Sequence, residues 1–166
     1  MRPLVFLDLD DVLCINSPYG GYDVFAPDHP VDLWERLFHQ PAVDTLLQII
    51  NEYRPLIVLT TSWLRFMDRE GFEDLFRRTG LAQVAASLHP SAWEAPQAQG
   101  TTRLEAIDAW LAAHRHGERF VILDDELSGT GLRDSPLAER GLVAFCEVGV
   151  GLTPSHLDAI RRALGR

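Results

Sequence analysis

Short apolar runs of strand length recur along the chain at Leu4–Leu7, Leu56–Leu59, Phe120–Leu123 and Leu142–Val148. Between them apolar residues fall at helical spacing, as in Val43, Leu46, Leu47 and Ile50. Continuous apolarity marks strands covered on both faces. The alternation therefore predicts an α/β fold: a Rossmann-like, doubly wound, mainly parallel sheet with helices on both faces. A weaker strand is expected near Gln83–Leu88, bringing the sheet to about five strands.

The helix boundaries are read from punctuation. Ala42–Tyr53 has Pro41 at its first turn and Pro55 just beyond its end. A second helix follows Thr102, with Leu104, Ile107 and Leu111 on one face, and runs to about Arg115. Thr153-Pro154 reads as cap and first residue of a C-terminal helix carrying Leu157, Ile160 and Leu164. Asn16–Pro30 and Ser91–Gly100 are rich in loop formers. The 166 residues suffice for one such domain with a two-sided core and not for two, so residues 1–166 are read as a single domain with a flap-like loop at about 16–30.

Polar residues gather where strands end. The first strand runs into Asp8, Asp10 and Asp11, the second into Thr60, Thr61 and Ser62, and the Phe120 strand into Asp124, Asp125 and Glu126. In an open parallel sheet these ends share the ligand-binding crevice. Carboxylates crowded in this way repel one another and lose solvation, a conflict that a bound divalent cation removes.

Composition narrows the partners. Net charge is -9, from 24 acidic and 15 basic residues, which disfavours a general nucleic-acid or anionic-membrane surface. Every basic residue is arginine, so any cation that contacts phosphate must be one. Cys14 and Cys146 are too few for a disulfide framework and lack zinc spacing; they are expected as buried, reduced thiols. The six histidines show no metal-binding spacing. The N-terminal apolar run stops at Asp8, so neither a signal peptide nor a membrane span is expected, and the chain reads as cytoplasmic.

In order, Asp8-Leu9-Asp10, Thr60 or Thr61, Arg103 and Asp124-Asp125 resemble the motifs of the haloacid dehalogenase (HAD) superfamily of phosphotransferases, over Pro3 to about Val148. The resemblance implies a phosphomonoesterase with an aspartyl-phosphate intermediate. Asp8 would be the nucleophile, and Asp10 the group that protonates the leaving oxygen and then activates water. Mg²⁺ would be held by Asp8, the backbone carbonyl of Asp10, and Asp124 or Asp125. Thr60 or Thr61, with the amides of Ser62 and Trp63, would hold phosphoryl oxygens. Arg103 stands where the family usually has lysine. Asp11 replaces a common glycine, either as a third acid near the site or, as expected here, as a turn residue.

The intervals from Asp10 to Leu56 and from Trp63 to Arg103 hold no large cap, so the chain resembles the small capless members, including those linked to nucleic-acid end repair. An open site admits a nucleotide, a sugar phosphate or a phosphorylated nucleic-acid end. Tyr19, Tyr22 and Phe25 in the flap either stack on a base or ring or, as expected, pack onto the domain. Gly129-Thr130-Gly131 is expected as a plain turn. The alternative is a non-catalytic HAD domain or a receiver-like phospho-switch. The latter lacks its lysine and would need its acceptor aspartate after the third strand.

Overall fold

A computed structural model of the chain describes residues 1–165. Its elements are β1 (Leu4–Leu7), α1 (Gly21–Phe25), α2 (Leu33–Arg36), α3 (Gln40–Tyr53), β2 (Leu56–Leu59), a 3-10 turn (Ser62–Arg65), α4 (Arg69–Arg78), α5 (Ala82–Ser87), α6 (Arg103–His114), β3 (Phe120–Asp125), α7 (Pro136–Glu139), β4 (Val143–Cys146), a second 3-10 turn (Pro154–His156) and α8 (Leu157–Leu164). The strands form one parallel sheet in the order β2-β1-β3-β4. The chain leaves β1 towards β2 on one side and returns to β3 on the other. The switch point therefore lies at the carboxyl end of β1.

Alternation along the strands divides the core. Val5, Leu7, Ile57, Leu59, Val121 and Leu123 pack under helices α3, α4, α5 and α8. Leu4, Phe6, Val58, Phe120 and Ile122 face the other way, against Ile107 and Trp110 of α6 and Leu137 of α7. Phe6 meets Trp110 edge-on at 5.2 Å and Phe120 at 5.8 Å. No cap layer covers the carboxyl ends of the strands among the described residues, and no described helix is long and apolar enough to cross a membrane.

The sheet has four strands rather than about five, because Gln83–Leu88 lies in helix α5 and its first turn beyond. Val84, Ala85 and Leu88 fit one helical stripe, and alanine and glutamine favour that conformation. The open edge of β2 is instead covered by an irregular segment: Leu59 donates to the Trp93 carbonyl, and His89 and Ala95 donate to Ile57 and Leu59. Pro90 and Pro96 bracket that segment and prevent a continuous ladder. Three helices separate β1 from β2, the first of them the short α1 within the flap. The C-terminal helix begins as a 3-10 turn, and β3 extends to Asp125, because Asp124 and Asp125 pair with Phe145 and Cys146 of β4.

Candidate active site

Register and alternation decide which side chains meet. Leu7 pairs with both Leu59 and Leu123, so Asp8, Thr60 and Asp124 stand level, one residue further on. All three share the face of Phe6, Val58 and Ile122, the face that α6 covers. Helix α6 starts at this level because Thr102 and Glu105 form a reciprocal cap: the Glu105 amide donates to Thr102 Oγ1 at 3.1 Å, and the Thr102 amide to the Glu105 carboxylate at 2.8 Å. Arg103, the first helical residue, is thereby fixed against the strand ends. Its amide donates to Thr130 Oγ1 at 2.9 Å. The Gly129–Gly131 turn is thus a docking point for α6.

Arg103 is 3 % exposed. Its Nη1 donates to Asp124 Oδ2 at 3.0 Å and to Thr60 Oγ1 at 3.3 Å, and lies 3.4 Å from Asp8 Oδ1. Gln97 accepts from its Nε. Of the two threonines, Thr60 is the one in this cluster. Thr61 points elsewhere and caps the 3-10 turn, accepting from the Trp63 amide at 3.2 Å. That bond commits the Trp63 amide, so it is not a free donor for a phosphoryl oxygen.

Ligand oxygens of Asp8, Asp124 and Asp125 lie within 4.8 Å of one another, and all three residues are buried. Three carboxylates face one guanidinium, an excess of two negative charges when all are ionised. Both oxygens of Asp124 are engaged, Oδ2 by Arg103 and Oδ1 by the Asp125 amide. Asp125 Oδ1 accepts from the amides of Leu127 and Ser128. Neither oxygen of Asp8 accepts a hydrogen bond, nor does Asp125 Oδ2, although these atoms are buried. Buried oxygens without partners and a charge deficit of two are what a hard divalent cation satisfies, so the donor set fits one.

Electrostatics show the same conflict. Burial, then the neighbouring Asp124, raises the Asp8 carboxyl well above its ordinary range, against the opposing pull of Arg103. Burial likewise pushes Asp124 up to about 6, with Arg103 opposing.

Asp10 stands apart from this cluster. Its Oδ2 accepts from Trp63 Nε1 at 3.1 Å, and its side chain lines a cavity under the flap. Its carboxyl is raised by burial, opposed by the Trp63 bond. The Asp10 side chain, expected among the metal ligands, is therefore not one of the clustered carboxylates. Ser62 is exposed on the rim shared by that cavity and a second, of about 190 Å³, which Thr60, Thr61 and Arg103 also line.

Asp11 adopts φ 58, a turn conformation, and its carboxylate accepts from the Gly149 amide at 2.9 Å, tying the β1 turn to the loop after β4. Tyr19 packs on the core and donates to Asp32, whereas Tyr22 stays exposed beside the cavity. Cys14 and Cys146 are buried free thiols, and burial pushes Cys14 up to about 12. The roles of Trp63, Gln97 and Thr130 about this site carry no motif; only the position of Trp63 after the Thr-Thr-Ser run draws attention to it.

The sequence model of one family, described as the HAD domain in Swiss Army Knife RNA repair proteins, matches residues 4–157. No curated protein and no solved structure matches the chain.

Proposed function

The chain belongs to this family of HAD domains, and from that membership we propose that it is a Mg²⁺-dependent phosphomonoesterase acting on phosphorylated nucleic-acid ends through an aspartyl-phosphate. The observation that carries the reading is Asp8. It is a buried carboxylate at the switch point with both oxygens free of hydrogen bonds, 3.4 Å from a buried arginine.

An Asp8 oxygen attacks the phosphorus of the monoester in line, and the bond from phosphorus to the leaving oxygen breaks. Asp10, whose raised carboxyl suits proton donation, gives its proton to that oxygen. Then Asp10, now ionised, takes a proton from water as the water attacks phosphorus. Inorganic phosphate leaves, and the Asp8 carboxylate is restored. Arg103 and Thr60 supply fixed donors beside the phosphoryl oxygens, and Arg103 keeps Asp124 in place. Asp8, Asp125 and the Asp10 carbonyl would hold Mg²⁺, which supplies charge stabilisation as the phosphoryl group transfers. Asp125 is preferred over Asp124 because it has the uncommitted oxygen. The whole chain is read as one catalytic domain.

The test is phosphate release from an aryl phosphate and from an end-phosphorylated oligonucleotide, with Mg²⁺ or with chelator, for wild type and Asp8→Asn. Activity is expected only for wild type with metal. Equal rates in both proteins would remove Asp8 from the mechanism.

A further inference from the structure

The cavity that Asp10 lines, whose walls include none of the three clustered carboxylates, has a volume of about 540 Å³. Its walls are aromatic. Trp63 forms the inner wall, Tyr22 and Phe25 come from the flap, and Phe66 comes from the end of the 3-10 turn. Tyr22 is 88 % exposed and Phe66 69 % exposed, an unusual cost in apolar surface unless something covers them. Phe25 stacks edge-on against Trp63 at 5.8 Å and lies 5.2 Å from Phe66.

The wall is built for close approach. A Cβ at Gly21 would stand 3.0 Å from the Trp63 indole, and one at Gly20 would stand 2.1 Å from Asn16 Oδ1. Glycine at position 21 therefore lets the flap helix settle on Trp63, and glycine at position 20 leaves room for the Asn16 side chain. Through its Nε1, the same Trp63 also holds Asp10.

Resting on the phosphomonoesterase reading, we infer that this cavity is the leaving-group site and that it takes the nucleobase of an unpaired strand terminus. If Asp10 protonates the leaving oxygen, whatever bears that oxygen must lie beside Asp10, across the phosphorus from Asp8. Asp10 lines this cavity. Exposed aromatic faces there match a planar ring, which stacks without regard to base identity. The cavity lining includes no arginine, so the terminal phosphate has no competing anion site within it. Phe66 also lines the next depression along the surface, where Arg65 stands with two carboxylates, Asp68 and Glu94. A strand that continues past Phe66 would meet Arg65 there, against the repulsion of those carboxylates. A paired end cannot place its base in the cavity, because that base is stacked and hydrogen-bonded in the duplex.

Wild-type protein with Mg²⁺ is assayed on four substrates: an unpaired RNA oligonucleotide with a terminal phosphate, the same strand with an abasic terminal residue, the same end in a blunt duplex, and the terminal nucleotide alone. The expected kcat/KM is highest for the intact unpaired strand and falls about 5- to 150-fold for the abasic one. The duplex and the free nucleotide are also poorer. Phe66→Ala and Tyr22→Ala should lower kcat/KM on the intact strand and have a smaller effect on the abasic strand. Equal rates for intact and abasic strands overturn the base site while the phosphatase reading stands. Equal rates for the free nucleotide or the duplex overturn the assignment to an unpaired strand end.

Stacking is read independently of turnover with Asp8→Asn protein and a phosphorylated strand ending in 2-aminopurine. Quenched fluorescence that Phe66→Ala weakens supports the base site, and unchanged fluorescence in the bound complex overturns it. Loss of all hydrolysis, including that of aryl phosphate, counts instead against the phosphatase reading.

Discussion

Replacing Arg103 with methionine tests the electrostatic design of the site most severely. The side chain is nearly as long, so the α6 side of the core stays filled, but the only cation facing three buried carboxylates among the described residues is gone. At an effective dielectric of about 20, an ion pair at the 3.0 Å separation of Arg103 and Asp124 is worth about 5.5 kcal/mol before desolvation is subtracted. Removing one partner of such a buried pair typically costs about 3–5 kcal/mol, because the remaining charge is stranded. Protonation limits that cost. Asp124 already sits at about 6, and without Arg103 it moves higher, so acidification neutralises it.

Urea unfolding in chelator is the assay. Arg103→Met should lose about 3–5 kcal/mol at about pH 8 and markedly less at about pH 5, with Arg103→Lys intermediate. A loss below about 1 kcal/mol, or one independent of pH, would refute the view that Arg103 is held by buried charge.

Asp8→Asn should abolish turnover yet raise the midpoint of thermal unfolding in chelator, since it removes the carboxylate that burial and Asp124 most disfavour; a lower midpoint contradicts this. The metal-free fold also has a pH signature. Asp124 binds its proton more tightly folded, at about 6, than at its ordinary 3.8, so stability falls as pH rises through that window, by roughly 3 kcal/mol. Mg²⁺ should therefore raise Tm more at about pH 8 than at about pH 5, and equal shifts would count against cation binding at these carboxylates. Trp63→Phe removes the indole donor that favours ionised Asp10, so the alkaline limb of kcat/KM should move up by about one unit; an unmoved limb would detach Trp63 from Asp10.

Three strands were legible from buried-strand runs nearly to the residue, and the family from four motifs in order. The remainder depended on information that local patterns do not carry. Thr60 and Thr61 differ only in register, which the pairing of Leu7 with Leu59 settles. Asp124 and Asp125 likewise look equivalent until alternation places Asp124 on the α6 side, with Arg103. Gln83–Leu88 reads equally as strand or helix, because a short apolar run has no length to distinguish the two periods. The bond between Trp63 and Asp10 joins residues 53 apart, and that between Asp11 and Gly149 joins residues 138 apart. Both are products of topology.

The most direct test of the account is an acid-quenched single turnover with substrate radiolabelled in its phosphoryl group and enzyme in excess. A transient, acid-stable and alkali-labile label on the peptide containing Asp8 is predicted; it should be absent in Asp8→Asn and longer-lived in Asp10→Asn, where water is no longer activated. Rapid phosphate release with no label on Asp8 at any time in either active protein would contradict covalent catalysis at this carboxylate.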